Sequence, residues 1–327
     1  MRRRQFITLA CGAAVWPLAA LAQPDRLRRI GVLMNTAEDD PQSKARASAF
    51  VRGLQERGWT LGGNVQIEYR WGAGSAKLYY QYASELAATA PDVVLASGGT
   101  AVGALQQITR TIPIVFVGTT DPVNRGLVAS MARPGGNTTG FVEFEFSLSG
   151  KWLELLKQIM PNVSRVVVVR NPSLTSGVGQ MAAVQTAAAS FGIETTPVDS
   201  RDIKELKRMI TAFARPPRGG MIVTLSGTAI DNRQAIIEVA AQNRLPTIYP
   251  DRIFVADGGL IAYGPDPVHH FQAAASYVDR ILKGEKAGEL PVQAPTKYDL
   301  AINLKTAVAL GLTIPQELLA RANEVIE

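Results

Sequence analysis

The sequence has few of the residues on which metal and redox chemistry depend. Its 327 residues include a single cysteine, Cys11, and only two histidines, the adjacent His269 and His270. We expect the segment that contains Cys11 to be removed, which leaves no disulfide, thiolate metal site or cysteine nucleophile. The histidines begin a predicted helix without a carboxylate cluster, and we interpret them as solvated helix residues rather than metal ligands or a general base. We therefore expect no metal and no cofactor.

Signatures of common enzymes are also missing. No GxGxxG follows the first predicted strand, since "GVLMNTAEDD" has no glycine after Gly31, and no GxSxG occurs. The pair Gly150-Lys151 lacks the earlier glycine of a phosphate-binding loop. We interpret Glu143 and Glu145 as the solvated face of a connecting strand, with a carboxylate pair as the alternative. The sequence thus offers no catalytic residues, and we expect a protein that is not an enzyme.

Clustered positive charge is absent outside the N-terminus. The net charge is +6, and removal of the first 22 residues leaves 31 basic against 28 acidic residues, or +3. No basic stripe interleaved with aromatic residues accompanies this small surplus. A nucleic-acid partner is therefore not expected.

The N-terminus has the layout of an export signal. Three arginines are followed by an apolar stretch from Phe6 to Ala19 and by the small-residue site Ala20-Leu21-Ala22. We expect cleavage after Ala22 and a periplasmic mature protein. Residues 3–7 are similar to a twin-arginine signal, with departures at the flanking positions that leave the export route open. The alternative, a buried N-terminal helix, would have to hide three arginines.

From residue 29 onward, short apolar runs alternate with longer amphipathic segments. Ala49, Phe50 and Leu54, for example, have helical spacing. Strands that alternate with helices indicate an α/β protein with doubly wound parallel sheets. The pattern starts again after residue 143, so two such lobes are expected. The runs interpreted as strands are 29–35, 65–71, 92–97, 114–119, 138–143, 165–171, 194–199, 221–225, 246–251, 259–264 and 298–303.

The last part of the chain contains too few elements for a third sheet. We expect its two strands, the helix at 267–283 and a final helical stretch to complete the two existing lobes. Several chain crossings would then form a multi-strand hinge, which suits clamshell closure. The predicted segments are the signal peptide at 1–22, a first lobe at 27–142 plus 264–288, and a second lobe at 143–263 plus 289–327.

Several predicted strands end abruptly at polar residues. The run "IVFVGTTDP" (114–122), for example, passes from buried-strand residues to two hydroxyls, a carboxylate and a proline. Because ligands bind beyond the carboxyl ends of parallel strands, such residues are candidate ligand contacts. Helix capping explains many of them equally well, and one residue can do both. The candidates are Asn35, Ser97, Thr100, Thr120, Asp121, Asn171, Ser226, Asp251 and Tyr263.

Four stretches carry a resemblance to a known family. They are "LASGGTAVGAL" (95–105), "IPIVFVGTTDPVNRGLVASMARPGGNTTG" (112–140), "VVRNPS" (168–173) and residues 302–327. With them, the chain resembles the ABC-transporter substrate-binding proteins that include tryptophan- and tyrosine-binding members and have the type I periplasmic-binding-protein fold. The resemblance implies a receptor that captures a small solute between two lobes and delivers it to a membrane permease with an ATPase. It also implies ligand contacts at Thr100, Asp121, Asn171, Ser226 and Asp251.

The ligand class stays open at this level. Tyr249 and Arg252 stand where other branches of the family have smaller polar residues, and an arginine near the cleft favours an acidic ligand. Aromatic residues near the predicted cleft are candidates for stacking on a planar ligand. We expect a monomer that binds a small polar, organic-acid or amino-acid ligand. An exported α/β enzyme and a ligand-sensing subunit of a signalling system are the alternatives. The aromatic candidates are Tyr69, Trp71, Phe144, Tyr249 and Tyr263.

Overall fold

The computed structural model describes residues 27–146 and 148–327, which form two α/β lobes. The predicted signal peptide, with Cys11, lies outside the described residues. No helix in the described part of the chain is both long and apolar enough to cross a membrane.

The first lobe begins with five strands and three helices that follow one another along the chain: β1 (Arg28–Met34), α1 (Pro41–Gln55), β2 (Val65–Trp71), α2 (Ala76–Ala88), β3 (Val93–Ser97), α3 (Gly99–Ile108), β4 (Ile114–Thr119) and β5 (Thr138–Val142). The strands are parallel in the order β2-β1-β3-β4-β5. Val32 and Met34 of β1 pack in one core and Leu33 in another. Both faces of the sheet are therefore covered, which explains the continuous apolar runs of its central strands.

The second lobe contains a larger sheet and the next group of helices: α4 (Leu148–Ile159), β6 (Arg165–Arg170), α5 (Thr175–Phe191), β7 (Glu194–Asp199), α6 (Ile203–Ala214), β8 (Gly219–Val223), α7 (Gly227–Asp231), α8 (Arg233–Gln242), β9 (Thr247–Tyr249), α9 (Arg252–Ala256) and β10 (Ile261–Pro265). Val166 and Val168 of β6 enter one core, whereas Val167 and Val169 enter the other. This lobe is thus also a sheet between two helical layers.

The chain passes between the lobes three times. The crossings lie after β5, after β10 and between residues 289 and 298. The helix that follows β10, α10 (Pro267–Leu282), belongs with the first lobe, because Phe271, Ala274 and Val278 share a core with Val32 of β1. A short 3₁₀ helix (Ala287–Glu289) follows. The type I fold with a multi-strand hinge is confirmed, while the exact lobe boundaries stay a prediction.

After its last crossing the chain completes the second sheet with β11 (Tyr298–Asn303), α11 (Leu304–Leu310), α12 (Gln316–Ala320) and β12 (Glu324–Ile326). The full order is β12-β11-β10-β9-β8-β6-β7. β11 is antiparallel to β10, with Tyr298 opposite Pro265. The direction reverses because β10 leaves the second lobe at its cleft end and β11 returns from that end.

Two predicted helical segments differ from the structure. The helix expected at 229–243 is divided into α7 and α8 at Asn232, whose backbone leaves the helical conformation. The final helical stretch ends in β12, where Glu324 lies opposite Ala301 and Ile326 opposite Asn303. An open edge of the sheet gives these last residues a pairing partner, which local propensity does not reveal.

Candidate ligand-binding cleft

The carboxyl ends of the strands in the two sheets face each other across a narrow cleft. Its apolar wall includes Val117, Leu225 and Phe271. The centre of a water molecule can reach only about 20 Å³ of this space, so the two lobes approach each other closely here. The polar residues that line it are Asn35, Arg46, Ser97, Glu143, Asp251 and His270.

Asn35 and Ser97 follow β1 and end β3, two neighbouring strands of the first sheet. The Ser97 hydroxyl donates a 2.8 Å hydrogen bond to Asn35 Oδ1, which fixes the orientation of the amide. Among the described residues, no group accepts a hydrogen bond from Asn35 Nδ2. Both residues were predicted as ligand contacts, and the structure brings them together at the cleft with spare donor capacity.

The end of β4 is irregular at Gly118. The pairing register with β5 shifts between Val117 and Thr119, and Gly118 has a φ of +72° that favours glycine. A Cβ atom at Gly118 would lie 3.9 Å from Glu143 Oε1. The Glu143 backbone N–H donates a 3.2 Å hydrogen bond to the Thr119 carbonyl. The irregular end of β4 therefore positions the segment that leaves β5, the first of the three crossings, at the cleft.

Glu143 is half-buried and lines the narrow cavity. No described residue donates a hydrogen bond to that group. Burial raises the pKa of Glu143 to about 7, with Asp251 acting in the same direction and Arg46 opposing it. The prediction of a solvated strand face is wrong for Glu143, whereas Glu145 is exposed. β5 ends at Val142, so the alternation of a strand does not extend into the crossing.

Asp251 is the charged residue of the second lobe that lines the cavity. It is buried and precedes α9, where its Oδ1 accepts a 2.9 Å hydrogen bond from the Ile253 backbone N–H. Burial raises the pKa of Asp251 despite this bond and the nearby positive charges of Arg46 and Arg252. Asp251 therefore both caps a helix and faces the cleft, which combines the two alternatives that the sequence left open.

Arg46 reaches the cleft from α1, which begins after the capping residue Asp40. Its Nη2 donates a 3.1 Å hydrogen bond to Gln42 Oε1. No carboxylate of the described residues lies within 4 Å of the Arg46 guanidinium. Most of its five N–H donors therefore remain available to an anionic or carbonyl group in the cleft.

His270 corrects a second expectation, because it is buried with 4% of its surface exposed rather than solvated. Adjacent helix residues point about 100° apart, so α10 turns His270 toward the cleft while His269 remains half-buried. Burial lowers the pKa of His270 to about 4, with His269 acting in the same direction and Asp266 opposing it. The imidazole is thus neutral at pH 7 and offers one donor and one acceptor.

The other predicted contacts of the first lobe lie at strand ends but outside the narrow cavity. Thr100 is exposed on α3, and Thr120 is half-buried after β4. Asp121 adopts a left-handed backbone with a φ of +52°. Its two carboxylate oxygens each lie 2.9 Å from the Asn124 side-chain amide that donates to them, so this carboxylate organises its own turn.

Three predicted contacts of the second lobe have local partners. Asn171 donates to the Thr228 hydroxyl at 2.9 Å and accepts from the Ser173 backbone N–H at 3.0 Å. Ser226 caps α7 by accepting from Ala229 N–H at 3.2 Å. The ring of Tyr263 stacks on that of Tyr298, with 5.8 Å between centroids. Asp251 is the predicted contact of this lobe that lines the cavity.

The sequence interpretation missed Arg46, Glu143 and His270 as candidate site residues. Arg46 lies one turn into a helix that starts at the cleft, a position that the Asp-Pro helix start at 40–41 marks only indirectly. The tertiary structure, rather than a local motif, brings all three together. Arg252, which the sequence suggested for an acidic ligand, lines an adjoining opening with Arg46, Asp251 and Asp266.

Metal coordination has no support in residues 27–146 and 148–327. They contain no group of three or more histidine, cysteine, aspartate or glutamate side chains placed to hold a metal ion.

Two doubly wound lobes, a multi-strand hinge and polar strand ends facing a shared cleft define the type I periplasmic-binding-protein class. The same fold occurs in an ABC transporter solute-binding protein from Bacillus halodurans with bound myo-inositol, at a TM-score of 0.61 and 11% identity. That comparison covers 88% of this chain and 98% of the other. The chain belongs to the ABC transporter substrate binding protein family, whose model matches residues 29–326.

Other relatives match more strongly. A conserved domain protein from Vibrio cholerae has a TM-score of 0.82 at 29% identity, over 92% of this chain and all of that one. A Streptococcus pneumoniae ABC domain in complex with L-Trp has a TM-score of 0.81 at 24% identity, over 91% of this chain and 99% of that one. A tyrosine-binding protein from Clostridioides difficile is 24% identical over 274 residues, which cover 84% of this chain and 79% of the relative.

Proposed function

We propose that this protein is the receptor of an ABC import system and that it captures an amino acid between its two lobes. The observation that carries the proposal is the convergence of unused hydrogen-bonding groups on the cleft. The first lobe provides the Asn35 amide, the Arg46 guanidinium and the His270 imidazole. The crossing after β5 provides the Glu143 carboxyl group, and the second lobe provides Asp251. Polar groups that closure removes from water are costly unless they gain partners, and a polar ligand between the lobes would supply partners to both sides.

Clamshell closure follows from this distribution. The cleft is too narrow for an amino acid as it stands, so the lobes have to separate before a ligand binds. A ligand favours the closed form only through contacts that the closed form adds. Contacts to Asp251 and the first lobe together provide that differential affinity, because the two sides belong to different lobes.

The charges in the cleft suit an amino acid better than a neutral solute. Glu143 and Asp251 are acceptors for an ammonium group, whereas Arg46 is a donor for a carboxylate. The relatives named for tyrosine binding and solved with L-Trp support the same class. We assign Asn35, Ser97 and Asp251 to the inner contacts. Thr100, Thr120, Asp121, Asn171, Ser226 and Tyr263 remain proposed contacts nearer the mouth of the cleft.

Location and partners complete the proposal. The predicted signal peptide at 1–22 directs the chain to the periplasm, where its partners are a membrane permease and an ATPase. The mature protein is a monomer, and it releases its ligand unchanged. Family membership supports the transport role, and the sensing alternative uses the same closure.

A thermal-shift screen tests the proposal. The purified protein is unfolded and refolded to remove any bound ligand, and is then melted with each of the common amino acids, short carboxylates, myo-inositol and arabinose. One site stabilises the folded state by about 2.7 kcal/mol at a hundredfold excess over the dissociation constant. We expect stabilisation by one or a few amino acids and recovery of those compounds unchanged. Stabilisation only by sugars, or conversion of the compound, would contradict the proposal.

A further inference from the structure

The charged groups around the cleft do not balance. The inner cavity and its adjoining opening bring together groups from α1, the β5 crossing, α9 and α10, and the imidazole of His270 is neutral at pH 7. With every carboxylate ionised, three negative charges face two positive ones. A surplus charge in a narrow, water-poor space is unfavourable, so a proton or another cation has to offset it. The charged groups are Arg46, Arg252, Glu143, Asp251 and Asp266.

Hydrogen bonding distinguishes the three carboxyl groups. Asp251 accepts a hydrogen bond from Ile253 N–H and Asp266 accepts one from Val268 N–H, each at 2.9 Å. Each aspartate therefore has one backbone donor for its carboxylate. Glu143 accepts none from the described residues. Its carboxyl group is therefore the one of the three without a hydrogen-bond donor in the described part of the chain. Burial raises the pKa of Glu143 to about 7 and also raises that of Asp251.

The surroundings of Glu143 leave its carboxyl group open to a ligand once the lobes separate. Gly118 faces Oε1 without a side chain, and even a Cβ atom there would remain 3.9 Å away. The Arg46 guanidinium lies more than 4 Å from Glu143, so no ion pair occupies the carboxylate. A primary ammonium can therefore approach Glu143 from the cavity with Asp251 on the opposite lobe.

We propose that ligand binding exchanges a proton for an ammonium group at Glu143. At pH 6 the carboxyl group of the empty protein carries a proton. When the ligand binds, the O–H bond breaks, the proton passes to solvent, and the carboxylate pairs with the ligand's ammonium. No net charge is added to the cleft at this position. The inference rests on the proposed function, and it restricts the ligand to molecules with a protonated amine.

The exchange makes affinity depend on pH. Below the pKa of Glu143 a ligand has to displace the proton, so its apparent affinity falls about tenfold for each pH unit. Above that pKa the carboxylate is already ionised and the affinity becomes constant. From pH 6 to pH 8 we therefore expect about a tenfold tighter dissociation constant. Up to one proton is released per ligand at pH 6, and almost none at pH 8.

Isothermal titration calorimetry in two buffers of different ionisation enthalpy tests this directly: phosphate and Bis-Tris at pH 6, phosphate and Tris at pH 8. Each proton released by the protein is taken up by the buffer and adds the buffer's enthalpy of protonation to the measured heat. The probe is the amino acid that gives the largest thermal shift at pH 8, compared with its des-amino analogue. We expect a clear buffer dependence at pH 6 for the amino acid. The des-amino analogue should bind at least tenfold more weakly and release no proton.

Matched variants separate this inference from the proposed function. Glu143→Gln should remove both the proton release and the pH dependence, whereas Glu145→Gln changes an exposed neighbour and should retain both. Binding without proton release in the native protein overturns the exchange but leaves the receptor role intact. Absence of binding by every amino acid overturns both. Proton release that persists in a folded Glu143→Gln protein overturns the assignment to this residue.

Discussion

The strand ends of the first lobe keep hydrogen-bonding groups unused, whereas most of those in the second lobe are bonded to their own neighbourhood. Asn35 and Glu143 face the cleft with free groups. Asn171 and Ser226, at equivalent positions of the other sheet, bond to Thr228 and Ala229. Similar residue types therefore serve different purposes in the two lobes, and composition at a strand end does not distinguish capping from ligand contact.

This difference suggests an order of events. A ligand first meets the larger set of free groups on the first lobe, and Asp251 of the second lobe then joins it as the cleft closes. Association would depend mainly on the first lobe, whereas retention would depend on both.

The largest expected effect is on the free energy of unfolding, and it compares one tryptophan from each lobe. Trp152 of α4 is fully buried, and its Nε1 donates a 2.6 Å hydrogen bond to the Tyr263 carbonyl. Trp152→Ala should lower the free energy of unfolding by about 3–5 kcal/mol through a cavity and a lost bond. Its first-lobe comparison is Trp59→Phe, which removes a 2.9 Å hydrogen bond to Asp279 and part of a half-buried ring and should cost about 1–2 kcal/mol. Urea unfolding measures both; equal losses would contradict the packing described for the second lobe.

Asp251→Ala tests retention by the second lobe. Loss of a charge-assisted hydrogen bond should weaken ligand binding by about 2–3 kcal/mol. Stopped-flow fluorescence or surface plasmon resonance should show faster dissociation and a nearly unchanged association rate. Arg46→Gln is the first-lobe comparison. It should both speed dissociation and slow association. A slower association in Asp251→Ala alone would reverse the proposed order.

The pH dependence of stability should separate two groups of the first lobe. The raised pKa of Glu143 favours the protonated folded state, so this stabilisation is complete below the usual value of 4.5 and is lost as pH rises through about 7. The lowered pKa of His270 favours the neutral imidazole. Its contribution is present above the usual value of 6.5 and is lost as pH falls toward about 4.

Glu143→Gln isolates the first of these contributions in ligand-free protein. Relative to the native protein, the variant should gain about 2 kcal/mol in the free energy of unfolding between pH 5 and pH 8, after allowance for screening by water in the cleft. Chemical denaturation at several pH values measures the difference. Glu145→Gln should show no such trend, and parallel curves for native protein and Glu143→Gln would refute the buried state of this carboxyl group.

The smallest effect is expected at Asp121. Its carboxylate accepts hydrogen bonds from Asn124, so a ligand near the mouth of the cleft gains less from it than from Asp251. Asp121→Ala should weaken binding by about 1 kcal/mol. Calorimetry with Asp251→Ala in parallel gives the ranking, and a larger loss at Asp121 would move the centre of the site toward the mouth.

Sequence reasoning located the sheets because their buried strands form continuous apolar runs, as in Val93–Ser97. It also predicted which end of the sheets faces the cleft, because Asn35 and Ser97 lie at the carboxyl ends of parallel strands and line the cavity. It missed Glu143 because the strand period stops at Val142, and β12 because its pairing partner is distant in the chain. Such features arise from tertiary contacts, which a local pattern does not encode.

A crystal structure of the refolded protein with its best-binding amino acid tests the central claim most directly. The account predicts the ligand between the closed lobes, with its ammonium within about 3.2 Å of Glu143 and Asp251 and its carboxylate near Arg46. A ligand bound elsewhere, or one held in the cleft without contact to both Glu143 and Asp251, would contradict the account.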